Sequence, residues 1–242
     1  MPLKTLSDRN MWSNLLYAFI ANLANFQILF FLPIYFQAVH DMSAIKSGVN
    51  CLPFMAFYTC PIEFGSGLIA VLGATLIYCI DVKTSKAWYI GARIPFGLGI
   101  GLGNQVPVTA LQGFATPETV AATMGIAFMA QCISGAYFVS AANSIFGNYL
   151  LRTLARTAPQ IDSSDILYLG VSELTKYYEG EQLALIRDAY MVGIKDVFAF
   201  ALAGTVLTVF MAILIPLKRL PSHETKEVED KDAAAKQRTR RG

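Results

Sequence analysis

Residues 88–107 read Trp88-Tyr89-Ile90-Gly91-Ala92-Arg93-Ile94-Pro95-Phe96-Gly97-Leu98-Gly99-Ile100-Gly101-Leu102-Gly103-Asn104-Gln105-Val106-Pro107, with Arg93 the one charge in the stretch. A helix needs about 20 predominantly apolar residues to cross the roughly 30 Å hydrocarbon core of a bilayer. The stretch therefore reads as the body of a membrane span over residues 88–111. Trp88 and Tyr89 at its start suit the headgroup level, where amphipathic rings collect.

Working outward, similar runs cover residues 120–146 on one side and 12–36 and 197–217 toward the two ends. Residues 47–80 are too many for one upright helix and too few for two full spans with a loop, and Pro61 and Glu63 interrupt them. They read as two short spans, 47–60 and 65–80, or as one tilted helix kinked at Pro61. The expected fold is an all-α membrane protein with about six transmembrane helices in one bundle over residues 1–217. Composition agrees: 15% of residues are charged, against about 25% in a soluble domain.

Six spans put both termini on one side. The tail, residues 218–242, carries Lys218, Arg219, Lys226, Lys231, Lys236, Arg238, Arg240 and Arg241, and Lys4 and Arg9 lie near the start. The positive-inside rule makes that side cytoplasmic, with residues 150–196 an exoplasmic loop and the tail solvated. Residues 1–10 are polar and the next apolar run is too long for the core of a signal peptide, so that run is expected to stay in the membrane.

Several functions find little support. The net charge is +2 and the basic residues form no aromatic-interleaved patch, which argues against nucleic acid. Cys51, Cys60, Cys79 and Cys132 lie in apolar segments without CxxC spacing or a nearby histidine, so no metal site is expected. His40 and His223 fall outside the spans, no pair of carboxylates lies within them, and Ser134 has no visible base. No catalytic residues or cofactor are therefore expected. The glycines fit neither nucleotide fingerprint, because Leu102 stands where the dinucleotide motif needs its third glycine and no Lys-Ser or Lys-Thr pair follows.

What remains is polar chemistry at membrane depth. A charge there costs a few kcal/mol, so Arg93 either faces a cavity or partner, or snorkels to the interface near Trp88. Gly97, Gly99, Gly101 and Gly103 have the small-residue spacing that lets membrane helices approach closely. The amides Asn22, Asn25 and Gln27, then Asn104, Gln105 and Gln112, then Gln131 and Asn143, should turn inward, either as interhelical bonds or as the lining of a solute pathway. Glu63 is the one carboxylate in the membrane region placed to carry a proton.

Residues 31–39 (Phe-Leu-Pro-Ile-Tyr-Phe-Gln-Ala-Val), Ser47-Gly48-Val49 followed by Leu52-Pro53, the glycine run 97–107, Asp188-Ala189-Tyr190 and Lys195-Asp196-Val197-Phe198 occur in that order. In this the sequence resembles the major facilitator superfamily, and within it the fourteen-helix drug:proton antiporters of fungal toxin and multidrug efflux. The resemblance implies the C-terminal bundle of such a carrier, in the plasma membrane, exporting a small organic substrate against protons. It also implies a proton-coupling role for the helix bearing Arg93 and the following glycines. The family's N-terminal bundle has no counterpart, and the region from Phe57 to Gly73 is shorter than the family pattern by about one helix length, about 20 residues. The expected partners are thus the lipid bilayer, a small molecule, protons, and a missing N-terminal bundle or partner chain. The competing expectation is a truncated remnant, or a membrane partner subunit, that does not transport.

Overall fold

The computed structural model describes residues 9–58, 66–115, 118–161, 166 and 174–214. The expected break at Pro61 and Glu63, Cys60 and the tail 218–242 lie outside them. The described residues form an all-helical membrane protein. Its long helices are α1 (Arg9–Ala38), α2 (Ala44–Tyr58), α3 (Ser66–Tyr78), α4 (Lys86–Phe114), α5 (Val120–Thr157) and α6 (Gly180–Leu214), with a one-turn helix at Leu174–Tyr177. By length and composition α1, α5 and α6 each suffice to cross a membrane. The 29 residues of α4 are also long enough, but its glycines and amides dilute its apolar content.

The centre of the bundle is α1, which packs against α2, α4, α5 and α6. Its residues are buried almost all round in the middle, Ala24, Ile28, Phe31, Leu32, Tyr35 and Phe36 completely so. Burial on most sides, with Phe30 the exposed exception in the middle, matches a largely apolar sequence whose amides Asn22, Asn25 and Gln27 are themselves buried. Outside it, α3 packs between α4 and α6.

Helices α2 and α3 have 15 and 13 residues, about 20 Å each at about 1.5 Å per residue. They start and finish at the same end of α1. The Ser47 hydroxyl donates to the Pro33 carbonyl at 3.1 Å, and the Tyr35 hydroxyl donates to the Asp81 carbonyl at 3.1 Å. The chain therefore leaves that end through α2 and returns to it through α3.

Glycine sets the distance between α3 and α4. A Cβ built on Gly73 would lie 2.2 Å from the Phe96 backbone nitrogen, and one on Gly99 would lie 2.2 Å from that of Ala70. The two helices touch backbone to backbone, antiparallel, as the pairing of 73 with 96 and 70 with 99 requires. Ser85 starts α4 by accepting the Trp88 N–H at 3.4 Å, a side-chain N-cap.

Helices α5 and α6 run further than their apolar stretches. Residues 150–157 and 180–196, expected within an exoplasmic loop, are helical. The 38 residues of α5 measure about 57 Å, well beyond the roughly 30 Å apolar core. Hydropathy marks where a helix meets lipid, whereas its hydrogen bonds continue wherever side chains can pack. Here Leu150, Leu154, Ala158, Ile161, Ile166, Leu174 and Ile186 are buried and continue the main apolar core of the bundle. Two ion pairs attach this region to the turns on the same face: Arg187 with Asp41 at 3.6 Å, and Lys195 with Asp81 at 3.3 Å.

Replacing Gly99 by Val should separate α3 from α4 and lower the unfolding free energy in detergent by about 1–3 kcal/mol, the usual cost of overpacking. Gly103→Ala is the control, since its Cβ would meet only the Tyr17 hydroxyl oxygen at 3.4 Å. Equal stability of the two variants in a denaturant titration would refute the close-approach account.

Candidate functional site

Arg93 sits where α1, α2 and α4 meet and is completely buried. Its Nε donates to the Tyr89 carbonyl one turn earlier at 2.6 Å. Its Nη1 donates to the Asn50 carbonyl of α2. The guanidinium carbon lies 4.9 Å from the centre of the Phe36 ring and 5.2 Å from that of Tyr89. Nη2 has no hydrogen-bond partner among the described residues.

Each hydrogen bond from a charged donor contributes about 1.5–3 kcal/mol, and a desolvated cation over an aromatic face about 2 kcal/mol. Together they offset an insertion cost of about 2.5–3.5 kcal/mol for a mid-membrane arginine. Arg93 does not snorkel: its head is held within the bundle and ties α4 to α2. Tyr89, at i−4 from Arg93, was within reach of a helical-spacing argument; Phe36 and the Asn50 carbonyl come from other helices and left no local signal.

The amides divide into two sets. Asn22 of α1 donates to the Asn104 Oδ1 of α4 at 3.0 Å, and Asn104 returns a longer bond to the Asn22 Oδ1 at 3.4 Å. Asn22 also donates to the Ala18 carbonyl at 2.8 Å. Both side chains are buried, so this pair joins two helices across the bundle. Asn25 is buried on α1 as well, and Gln27, two residues on, is fully buried with neither amide atom hydrogen-bonded among the described residues.

Gln105 and Gln112 instead point out of the bundle, as does Thr109 between them. Spacings of four and three put the three on one face of α4. Gln131 of α5 is half-buried. The structure thus brings Asn22 and Asn104 together and separates Arg93 from Gln105 and Gln112: the arginine serves an internal junction, the glutamines an open face. Thr109 escaped the sequence reading because only amides were sought. Of the four glycines of α4 singled out there, Gly99 meets α3 and Gly103 meets Tyr17. Among the described residues no group of three His, Cys, Asp or Glu side chains is placed to hold a metal ion.

No protein-family model matches the sequence. It is 51% identical over 238 residues to the efflux pump notK of Aspergillus sp. (strain MF297-2), a match that covers 92% of this chain and 42% of that protein. It is 47% identical to a dehydrocurvularin exporter of Alternaria cinerariae, covering 95% of this chain and 42% of the exporter. The MFS-type transporter astH of Aspergillus oryzae is 30% identical, over 89% of this chain and 41% of its own length. The chain belongs to the major facilitator superfamily.

The fold points the same way. The chain superposes with a TM-score of 0.62 on a bacterial homologue of the human lysosomal transporter Spinster, with 12% identity over 88% of this chain and 50% of that one. This major facilitator chain spans under half the length of the curated relatives just described.

The Asn22–Asn104 bond should appear in a double-mutant cycle. Asn22→Leu and Asn104→Leu should each destabilise the bundle, and the double variant should recover about 0.6–1.7 kcal/mol of the summed loss, the range for interhelical bonds in membranes. Strict additivity in unfolding measurements would show that the two amides do not act together.

Proposed function

We propose that the chain is part of a carrier that exports a small organic compound, a toxin, secondary metabolite or drug, from the cell by proton antiport. The observation that carries this reading is identity of 51% and 47% to proteins named as an efflux pump and an exporter, over more than nine-tenths of the chain. The multi-pass helical architecture supports it, and the plasma membrane is the proposed location.

In carriers of this kind the solute sits near the membrane midplane between two helical bundles that rock about it. The open face of α4 has the chemistry for one side of that path. Gln105, Thr109 and Gln112 offer donors and acceptors, flanked by exposed Val106. Such a face can take a solute's hydrogen-bonding groups without meeting a fixed charge. Arg93, about three turns away, and the Asn22–Asn104 pair, on the inward side of α4 next to Gln105, would keep α4 rigid while the solute passes. The face needs a second wall, which the N-terminal bundle of a full-length carrier would supply. Catalytic chemistry has no part in this reading.

The test joins this chain to the N-terminal part of its 51%-identical relative and expresses the product in cells stripped of their own pumps. Export into an acidic medium is expected. Gln105→Leu with Gln112→Leu should reduce it about tenfold at unchanged membrane abundance, the effect of about 1.4 kcal/mol of lost hydrogen bonding. Arg93→Ala should abolish it. Undiminished export in the glutamine variant would remove the open face of α4 from the pathway, and export indifferent to the pH gradient would remove the proton.

A further inference from the structure

His40 lies just beyond the end of α1 on the face that carries the two ion pairs, and it is held there between Tyr35 and Tyr89. Its Nε2 is 2.9 Å from the Tyr35 hydroxyl, which itself donates to the Asp81 carbonyl in the turn after α3. Its ring meets Tyr35 edge-on, with centroids 5.1 Å apart, and lies 5.6 Å from the ring of Tyr89 on α4. Tyr89 in turn meets Phe36 in a tilted ring contact at 5.0 Å, and both rings cover Arg93. His40 is thus the outermost member of a continuous group that reaches the junction of α1, α2 and α4.

The charged groups around it are mostly basic. Asp41 is its chain neighbour and is engaged with Arg187 of α6. Asp81 is engaged with Lys195 of α6 and accepts the Val82 N–H at 2.8 Å. Lys86 begins α4. Both nearby carboxylates therefore already have a cation, and none is left to balance a new one.

We propose that the His40 imidazole is a proton-binding site that governs how firmly the turn of residues 39–43 is held against α4 and α6. The neutral ring fits the seat between Tyr35 and Tyr89. With Tyr35 donating to Asp81, the seated imidazole carries its proton on Nε2 and gives it to the Tyr35 oxygen. A second proton on Nδ1 adds a positive charge beside Lys86 and Arg187, and the ring is better solvated outside the seat. Its departure would uncover Tyr89 and release the turn that presents Asp41 to Arg187.

Partial burial, with Lys86 and Arg187 nearby, holds the His40 pKa below the ordinary value of 6.5. The seated state therefore binds the second proton less readily than a freed imidazole. Its stability is complete above the ordinary histidine pKa and is lost as the pH falls below it. Asp81, held low by the Val82 N–H and then by Lys195, stays ionised through that window. This inference does not rest on the transport reading and is tested without transport.

The experiment measures the distance between spin labels introduced as non-natural residues at Ala44 and Gln182, both exposed, in the full chain reconstituted in lipid. A narrow distribution is expected at about pH 7.5 and a longer, broader one at about pH 5, restored on returning to the higher pH. His40→Gln, which cannot take up the proton, should stay narrow at both. An unchanged distribution in the chain with His40, or the same broadening in the His40→Gln variant, overturns the proposal. Imidazole NMR of the unlabelled chain gives a second reading, because its two histidines are His40 and His223. The His40 midpoint should lie below that of tail residue His223, and a shared midpoint would also overturn it.

Discussion

Within a bilayer an apolar side chain gains little by exchanging lipid for another helix, so the bundle depends on how closely its backbones can come together. The contact of α3 with α4 meets that condition: Gly73 receives the backbone of Phe96 and Gly99 that of Ala70. Dispersion falls steeply with distance, so small residues gain more there than large ones would. With α3 held, α4 is fixed in height and rotation, which puts Arg93 inward and Gln105, Thr109 and Gln112 outward on one helix.

The polar interior complements this packing. A charge or amide left alone in hydrocarbon is costly, and its partners are therefore structural obligations. Arg93 meets most of its obligation with backbone carbonyls and ring faces rather than a carboxylate, with Nη2 unpartnered among the described residues. Asn22 and Asn104 satisfy theirs with each other. Both arrangements pin α4 to its neighbours at specific heights, which packing of smooth apolar surfaces alone would leave free to slide.

The membrane-helical class was legible because apolar runs of spanning length are a physical requirement of the bilayer. The inward position of Arg93 was one of two readings open to the sequence, and Phe36 and Asn50, which decide between them, stand far from it in the chain. The amides were visible as a set, but nothing local separates Asn104, which finds Asn22 across the bundle, from its neighbour Gln105, which faces outward. The extents of α5 and α6 were hidden for a different reason. Beyond the apolar stretch their helical hydrogen bonds persist under mixed sequence, held by residues such as Leu154 and Ile186 that a hydropathy window averages away.

That persistence has a mechanical side. Two long helices packed along each other and cored beyond the bilayer behave as a stiff mast rooted in the bundle. A small tilt at the root becomes a large sideways sweep at the tip. Whatever neighbours the tip would feel any tilt at the root as a stroke.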